Sequence, residues 1–298
     1  MRIQLTRSVG ALLAAGLFTV PNLVQAQPAA HYAPGLEGLK AATLPPPGLY
    51  LRDYNLAYES SRLNQPNGDN AQAGVHAFIY ANAPRLIWIT DQQVLGGYLG
   101  LDTLVTLPYT HLRVGAADYS SSTFGIGDAF VEGTWSKHTK QFDFALGYGV
   151  FAPTGNSAPP LTTRAGLGYW THMFTAGATW YPDDAKKWSV SALNRYEFNM
   201  EKEDTEQIPG QVYTVEGGVG YQILKGVDIG PAAYYQQQVN PTTGSEWSDR
   251  SRVVGVGPEV SAFFPKWMLG VSFRYEYELL AESRLQGQTF SLTVTKRF

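Results

Sequence analysis

Side chains alternate between apolar and polar along most of this chain, and a period of two is the pattern of a β-strand whose faces meet different surroundings. The clearest example is the stretch "WMLGVSFRYEYEL" at residues 267–279. Its odd positions are aromatic or aliphatic throughout, whereas Ser272, Arg274 and Glu276 lie on the opposite face. Segments of this kind predict an all-β fold in which one face of each strand contacts an apolar environment.

Short connections such as "DQQ", "KHTK" and "PDDAK" alternate with long polar ones such as residues 108–123 and "EKEDTEQIPG". An even number of antiparallel strands, with tight turns at one end and long loops at the other, is typical of an outer-membrane β-barrel. We therefore predict a twelve-stranded antiparallel transmembrane β-barrel. Its strands are predicted at residues 49–62, 73–90, 94–107, 124–136, 141–151, 168–181, 187–200, 210–224, 226–239, 251–264, 267–281 and 285–298.

The composition favours this barrel over a secreted soluble β-sandwich or barrel, which also alternates. Charged residues make up 16% of the chain, against roughly 25% in soluble domains. The polar faces are rich in Gly, Ser and Thr rather than densely charged. Hydrocarbon also excludes unpaired strand edges, and only a closed barrel removes both edges.

The N-terminal region precedes the predicted barrel and has its own pattern. Residues 1–26 carry two arginines, an apolar run and the sequence Val-Gln-Ala, which together predict a secretory signal peptide. The apolar run is too short for a membrane-spanning helix. Residues 27–46 are predicted to form a periplasmic segment, with a short helix around 36–42, that either leads into the barrel or plugs it. The barrel itself is assigned to residues 47–298.

Aromatic residues predict how the barrel sits in the membrane. Amphipathic rings prefer the membrane–water interface, so tryptophans close to the short turns predict the periplasmic aromatic girdle of the barrel. This girdle consists of Trp88, Trp135, Trp180, Trp188 and Trp267.

The chain ends in "FSLTVTKRF", which predicts the strand that closes the barrel. Phe290, Leu292, Val294 and Phe298 fall on the face assigned to lipid. A terminal phenylalanine after alternating apolar positions also resembles the signal by which the assembly machinery recognises outer-membrane barrels. Lys296 breaks the alternation, but near the interface its charge reaches water at small cost.

The face opposite the apolar one is assigned to the lumen and carries more acids than arginines. Arg195 and Glu216 fall at similar height on neighbouring strands, as do Glu259 and Arg274, and we predict an ion pair at each place. The charges either bridge and fill the barrel wall or make an acidic channel. The charged residues assigned to the lumen are Asp53, Glu59, Asp128, Glu132, Asp143, Arg195, Glu197, Glu216, Asp228, Arg252, Glu259, Arg274, Glu276, Glu278 and Arg297. The aromatic residues proposed there as stacking surfaces for a solute are Tyr98, Phe151, Tyr169 and Tyr234.

Several classes of chemistry lack their residues in this sequence. Cysteine is absent, and the five histidines show no paired-ligand spacing, so no metal site and no cofactor are expected. His172 lies on the outward face, where an outer-membrane phospholipase would use a Ser/His pair, but no GxSxG motif accompanies it. We therefore predict a protein that is not an enzyme. The absence of a basic tract excludes nucleic acid as a partner.

Several stretches carry a family resemblance in their order and spacing. They are "GDAFVEGTW" (127–135), "FAPTGN" (151–156), "DTEQIPGQVYTVEGGVGYQI" (204–223), "GVDIGPAAYYQQQ" (226–238), "GVGPEV" (255–260) and the end "YEYELLAESRLQGQTFSLTVTKRF". The chain resembles the outer-membrane family named for the meta-pathway of phenol degradation, from about Pro47 onward. The resemblance implies passage of small hydrophobic or aromatic compounds across the outer membrane, alongside a catabolic pathway.

The expected location is the outer membrane of a Gram-negative bacterium, with both termini in the periplasm. Expected partners are outer-membrane lipid and lipopolysaccharide, the barrel-assembly machinery and a small hydrophobic or aromatic solute. Two alternatives stay open. A general small-solute porin would conduct with little preference, and a structural or adhesive barrel would act through its extracellular loops without conducting.

Overall fold

The computed structural model describes residues 30–71, 73–157, 163–203, 205–244 and 250–298. The predicted signal peptide at residues 1–26 lies outside the described residues. Within these residues the fold is all-β apart from two short 3-10 helices, Gly115–Ala117 and Pro265–Trp267, and no helix is long and apolar enough to cross a membrane. The strand segments are β1 (Gly48–Leu63), β2 (Val75–Val94), β3 (Gly97–Val105), β4 (Leu107–Val114), β5 (Tyr119–Phe124), β6 (Ala129–His138), β7 (Phe142–Ala152), β8 (Tyr169–Trp180), β9 (Trp188–Lys202), β10 (Val212–Leu224), β11 (Val227–Gln238), β12 (Arg252–Phe264), β13 (Leu269–Glu282) and β14 (Leu285–Arg297).

These segments make one closed wall of antiparallel strands. β3 and β4 follow each other along β2 and act as one long strand, and β5 and β6 follow each other along them in the same way. Each later strand pairs with the next, and β1 pairs with both β2 and β14. The predicted twelve-stranded closed antiparallel barrel is confirmed. Closure leaves no strand edge along its seam, as a hydrocarbon environment requires.

The connections define two different ends of the barrel. We call the end with the connections at 95–96, 139–141, 181–187, 225–226 and 265–268 the short-turn end, and the opposite end the long-loop end. The predicted turn "DQQ" is wrong, because β2 continues to Val94. The chain reverses instead at Leu95 and Gly96, which have φ values of 54° and 75°. Positive φ at both central residues is what a tight hairpin turn requires.

The predicted long loop at residues 108–123 is also wrong. β4 and β5 form a hairpin there that continues the wall at the long-loop end. The outward positions of β4 are Tyr109, His111 and Arg113, which pair with outward residues of β2. Because polar side chains occupy this outer face, the apolar alternation that reveals the other strands is missing from the hairpin.

The two faces of the wall differ as the alternation predicts. Outward positions such as Leu86, Leu146 and Phe174 are exposed and apolar. Inward positions such as Asp102 and Glu132 are polar and almost fully buried. A barrel with an apolar exterior and a polar interior is the inverse of a soluble globular domain, and it is the arrangement of an outer-membrane barrel.

Three charged residues assigned to the lumen lie on the outer face, and that assignment is wrong for Asp53, Glu59 and Arg252. In β1 the inward positions include Tyr50 and Tyr54, which are buried. Two aromatic residues of β1 pack inside the barrel, so apolar character does not mark the lipid-facing side of this strand. Asp53 instead accepts hydrogen bonds from the side chains of Asn55 at 2.9 Å and Asn82 at 2.8 Å.

The tryptophans predicted to form a girdle lie toward the short-turn end of the barrel. Trp88, Trp180, Trp188 and Trp267 are exposed on the outer surface. Trp135 is half-buried and its indole nitrogen donates a hydrogen bond to the carbonyl oxygen of Val94 at 2.8 Å. One belt of amphipathic rings near the turns fits the interfacial role assigned to them.

The final strand closes the barrel by pairing with β1 on one side and β13 on the other. Phe290 and Leu292 are exposed on its outer face, Val294 is half-buried there, and Phe298 is 71% exposed beyond the end of the strand. The ammonium of Lys296 donates to the carbonyl oxygen of Trp267 at 2.5 Å, so its charge lies at the short-turn end. The role of this ending in assembly stays a prediction.

Candidate functional site

The interior of the barrel is occupied by residues 31–47, which we call the N-terminal segment. It begins beside the long-loop ends of β7 and β8, where His31 contacts Phe151 and Tyr169. It ends at the short-turn end, where Arg297 donates a hydrogen bond to the carbonyl oxygen of Pro47 at 2.9 Å. The segment contains turns and no helix, so the helix predicted around 36–42 is wrong. Gly35 and Gly38 stand within that stretch, and glycine disfavours a helix.

His31 fixes the segment near the long-loop end. Its Nε2 lies 3.0 Å from Asp128 Oδ2 and its Nδ1 lies 2.8 Å from Thr171 Oγ1. Its backbone N–H donates to Glu197 Oε1 at 2.7 Å, and the N–H of Tyr32 donates to the same oxygen at 3.1 Å. Burial lowers the pKa of His31, although the Asp128 carboxylate opposes this effect. The seated imidazole is therefore favoured in its neutral form.

Asp128 connects the segment to the long loop between β7 and β8. Its carboxylate accepts the backbone N–H of Gly155 at 2.9 Å and that of Leu167 at 2.7 Å, in addition to facing His31. One side chain therefore organises the loop and the top of the segment together. Movement of His31 would therefore change the hydrogen bonding of Asp128 and, through it, the position of the loop.

The aromatic residues proposed as surfaces for a solute face the interior, but they contact the chain itself. The ring of His31 stacks on Phe151 at 4.8 Å and meets the edge of Tyr169 at 4.7 Å. Tyr234 is buried and its hydroxyl donates to Glu278 at 3.2 Å. Tyr98 packs beside a buried cluster that includes Tyr50. With the segment in place, the stacking surfaces of Phe151 and Tyr169 are covered by His31.

Arg195 and Glu216 lie in the middle of the barrel. Arg195 Nη1 and Glu216 Oε1 are 2.5 Å apart, as the strand heights predicted. Glu216 also accepts the Tyr32 hydroxyl and the backbone N–H of Gly35 at 3.1 Å. The guanidinium of Arg195 lies over the ring of Tyr32 at 4.0 Å. The pair is thus part of the wall and also a seat for the segment.

Glu259 and Arg274 form the second predicted pair, with 2.8 Å between Oε2 and Nη1. The same carboxylate oxygen accepts the backbone N–H of Leu39 at 2.9 Å, and Arg274 donates to the carbonyl oxygen of Gly35. A Cβ on Gly38 would lie only 1.7 Å from Glu259 Oε2 and 2.1 Å from Arg274 Nη1. Glycine at this position is what allows the segment to approach the pair.

Lower contacts hold the segment near the short-turn end. Lys40 pairs with Asp228 at 2.8 Å, and the Thr43 hydroxyl donates to Asp143 at 3.0 Å. Ala42 is fully buried, and its N–H donates to the hydroxyl of Ser191 at 3.1 Å. Inward side chains of the wall thus bind the segment along its whole length.

Glu37 carries the one acidic side chain of the segment. Its carboxylate accepts hydrogen bonds from Arg52 at 3.0 Å and from the Tyr54 hydroxyl at 2.5 Å. Burial would raise the pKa of Glu37, but Arg52 and Tyr54 stabilise the carboxylate and leave its pKa below the usual value. Arg52 and Tyr54, two of the inward residues of β1, therefore hold a charged glutamate in the middle of the barrel.

The segment does not fill the interior completely. A cavity of about 460 Å³ lies between residues 36–46 and the short-turn halves of β11 to β14 and β1. The wall side of this cavity carries small inward side chains such as Ser261, Ser272, Thr293 and Thr295. We call this space the vestibule.

A family model covers most of the chain. The family described as "Putative MetA-pathway of phenol degradation" matches residues 60–294. The chain belongs to this family. Membership confirms the resemblance that the sequence motifs carry.

Solved structures agree with the fold of this phenol-degradation family member. An outer membrane channel from Pseudomonas putida F1 aligns with a TM-score of 0.76 and 15% identity, over 90% of this chain and 100% of that one. The β-domain of the Bordetella autotransporter BrkA aligns with a TM-score of 0.53 and 13% identity, over 84% of this chain and 99% of that one. No curated protein matches the sequence. The likeness establishes an outer-membrane β-barrel fold.

One charged cluster of this family member was missed from its sequence. Arg85 donates to both carboxylate oxygens of Asp102, at 2.8 and 2.9 Å, and to Glu132 at 2.7 Å. Glu132 in turn accepts the hydroxyl of Thr175 at 2.9 Å. Glu132 is among the residues predicted to face the lumen, whereas Arg85 and Asp102 are absent from that prediction. The signal available in the sequence was the two-residue spacing of Arg85, Ile87 and Ile89, which places all three on the inward face of β2.

Proposed function

We propose that this protein is a gated outer-membrane conduit for small hydrophobic or aromatic molecules, in which the N-terminal segment closes the lumen. One observation carries the proposal. The segment runs from one end of the barrel to the other, yet its bonds to the wall pass through side chains. Within the described residues, its backbone–backbone hydrogen bonds are local, from Ala41 to Gly38 and from Thr43 to Lys40. Such a plug leaves the barrel without breaking the strand ladder.

Without the segment, the interior would form a passage lined by both aromatic side chains and paired charged side chains. Phe151, Tyr169 and Phe130 would present aromatic faces near the long-loop end, where His31 now stacks. Below them, charged pairs such as Glu259–Arg274 would remain satisfied by each other. Aromatic surfaces between fixed polar groups suit an amphipathic aromatic solute better than a large hydrophilic one. Family membership and the solved outer membrane channel with the same fold support passage through the barrel.

The orientation and the assembly signal belong to the same proposal. We place the short-turn end in the periplasm and the long loops outside, following the usual arrangement of bacterial barrels. Phe298 then lies on the periplasmic side, while His31 lies near the outer rim, so this placement departs from the prediction that both termini lie in the periplasm. Lipid and lipopolysaccharide would surround the apolar exterior.

Flux into liposomes tests the proposed function. Vesicles containing the purified barrel would be offered phenol, a medium-chain fatty acid and a monosaccharide side by side, with protein-free vesicles to subtract passive permeation. A selective conduit admits phenol faster than the sugar once the segment is released. Equal rates for all solutes would instead indicate a general porin. No protein-dependent flux of any solute, with the segment seated or removed, would overturn the proposal and leave a structural barrel.

A further inference from the structure

The cations that line the vestibule are matched by carboxylates, except at one place. Lys40 pairs with Asp228 at 2.8 Å and Arg274 with Glu259 at 2.8 Å. Arg52, which also lines the vestibule, pairs with Glu37 at 3.0 Å. Each of these three cations is therefore neutralised by its own acid.

Arg297 lines the same cavity without an acidic partner in the described part of the chain. It is inward, because it pairs in register with the buried Tyr50. Its Nη2 donates to the carbonyl oxygen of Pro47 at 2.9 Å, and its guanidinium lies 5.8 Å from the centre of the Tyr50 ring. A carbonyl and a ring use part of its five-donor fork and leave its full charge uncompensated.

Apolar and hydroxyl groups complete the surroundings of this charge. Pro45, Pro46 and Leu39 form the segment side of the cavity, and Phe263 faces it from β12. Thr295 provides a hydroxyl on the same face of β14 as Arg297. A cavity of about 460 Å³ exceeds the volume of one aromatic ring with a small substituent and lies within the size range of ligand sites.

We infer that the vestibule is a binding site for a small carboxylate with an aromatic or apolar body, whose carboxylate pairs with Arg297. The inference rests on the proposed conduit and names the class of solute that it retains at the short-turn end. Arginine recognises carboxylates through two parallel N–H donors, and the surrounding prolines and Phe263 cover the apolar body. The neutral amide of the same shape carries no negative charge, so it could not form an ion pair with the guanidinium.

Binding of benzoate to the purified barrel tests the site, with benzamide as the neutral isostere. Calorimetry in detergent should show benzoate binding to the natural chain, and about tenfold weaker binding to Arg297→Gln. Arg297→Lys keeps the charge and should retain a large part of the affinity. The matched control is Lys225→Gln, which removes one positive charge from a turn at the same end and outside the vestibule. It should bind benzoate like the natural chain.

Any of three results would overturn the site. The first is benzamide binding as tightly as benzoate, and the second is Arg297→Gln binding benzoate with unchanged affinity while showing the natural heat-dependent gel mobility. The third is no binding of benzoate to the natural chain. The conduit is judged separately by phenol flux in liposomes. Flux without benzoate binding would reject the site alone, whereas binding without any flux would reject the conduit and leave the site.

Discussion

The N-terminal segment and the closing strand β14 belong to the same chain but are held in different ways. β14 shares backbone ladders with β1 and β13, so every part of it is fixed by regular, mutually supporting bonds. The segment has no such ladder, and Glu197, Glu216 and Glu259 hold its backbone through their carboxylates. Hydrogen bonds to charged groups contribute about 1.5–3 kcal/mol each. The segment is thus firmly seated, yet its release would break no strand ladder of the wall.

The contrast between the segment and β14 identifies two roles for the interior carboxylates, one in the wall and one in holding the segment. Carboxylates in the lumen were expected either to bridge the wall or to make an acidic channel. Glu216 and Glu259 each contact an arginine of the wall and a backbone N–H of the segment at the same time. When the segment departs, the arginine remains as a partner, so the carboxylate is not stranded as an unpaired buried charge. The wall would therefore keep these two carboxylates paired with or without the segment.

Gly38→Leu should have the largest effect, because it displaces the N-terminal segment and leaves the strand wall unchanged. A Cβ at position 38 would lie 1.7 Å from Glu259 Oε2, so the segment cannot keep its place, whereas the strand ladders are untouched. Planar-bilayer recordings should show the open fraction rising by about tenfold or more, as expected when a seated state loses its contacts. Heat-dependent gel mobility should stay natural. Gly133→Ala is the control, because its Cβ meets no atom within 4 Å. A closed Gly38→Leu barrel would contradict the role of the segment.

Leu146→Arg should damage the wall and leave the segment alone. Leu146 is 51% exposed on the outer face of β7. Arginine on the lipid face near the bilayer midplane costs about 2–4 kcal/mol. The free energy of unfolding from lipid vesicles, measured by urea titration, should fall by about that amount. Val239→Arg, in the loop after β11, should change it little. Equal effects of the two substitutions would show that β7 does not face hydrocarbon.

Phe298→Ala should reduce the yield of assembled barrel without much loss of folded stability. Phe298 is 71% exposed, and its backbone N–H bonds to Leu49, so its ring contributes little to packing. Phe124 is 73% exposed at the other end of the barrel, which makes Phe124→Ala a matched control. Outer-membrane yield, measured by immunoblot, should drop severalfold for Phe298→Ala only. Normal yield would limit β14 to closing the wall.

Acid should loosen the segment by a smaller amount. Burial lowers the pKa of His31 in the seated segment. As the pH falls, the released segment, with an imidazole pKa of about 6.5, therefore binds a proton before the seated segment does. Stability of the seated state is therefore fully present above that value and is lost as the pH falls below it. The ionisable side chains around His31 are Asp128, Glu197 and Arg164. The open fraction should rise between pH 7.5 and 5.5, and His31→Gln should flatten the profile.

The sequence predicts the wall well because tight turns fix strand height and alternation fixes the two faces. Glu259 and Arg274 stand directly opposite each other, and this follows from counting residues back from one short turn. Asp53 was placed on the wrong side because Tyr50 and Tyr54 serve the segment and not the membrane. The segment has neither period nor ladder, so its path depends on side chains far along the chain. No local sequence pattern predicts that His31 covers Phe151.

A reversible tether tests the closing role of the segment most directly. The hydroxyl oxygens of Thr43 in the segment and Thr179 in β8 lie 3.0 Å apart, so cysteine sulfurs in their places need to approach by only about 1 Å to form a disulfide of about 2 Å. The natural chain has no cysteine to interfere. In planar bilayers, oxidised Thr43→Cys/Thr179→Cys should remain closed, and reduction with dithiothreitol should restore openings to at least the level of Thr179→Cys alone. Equal conductance of the oxidised and reduced protein, with the crosslink verified by mass spectrometry, would contradict the account.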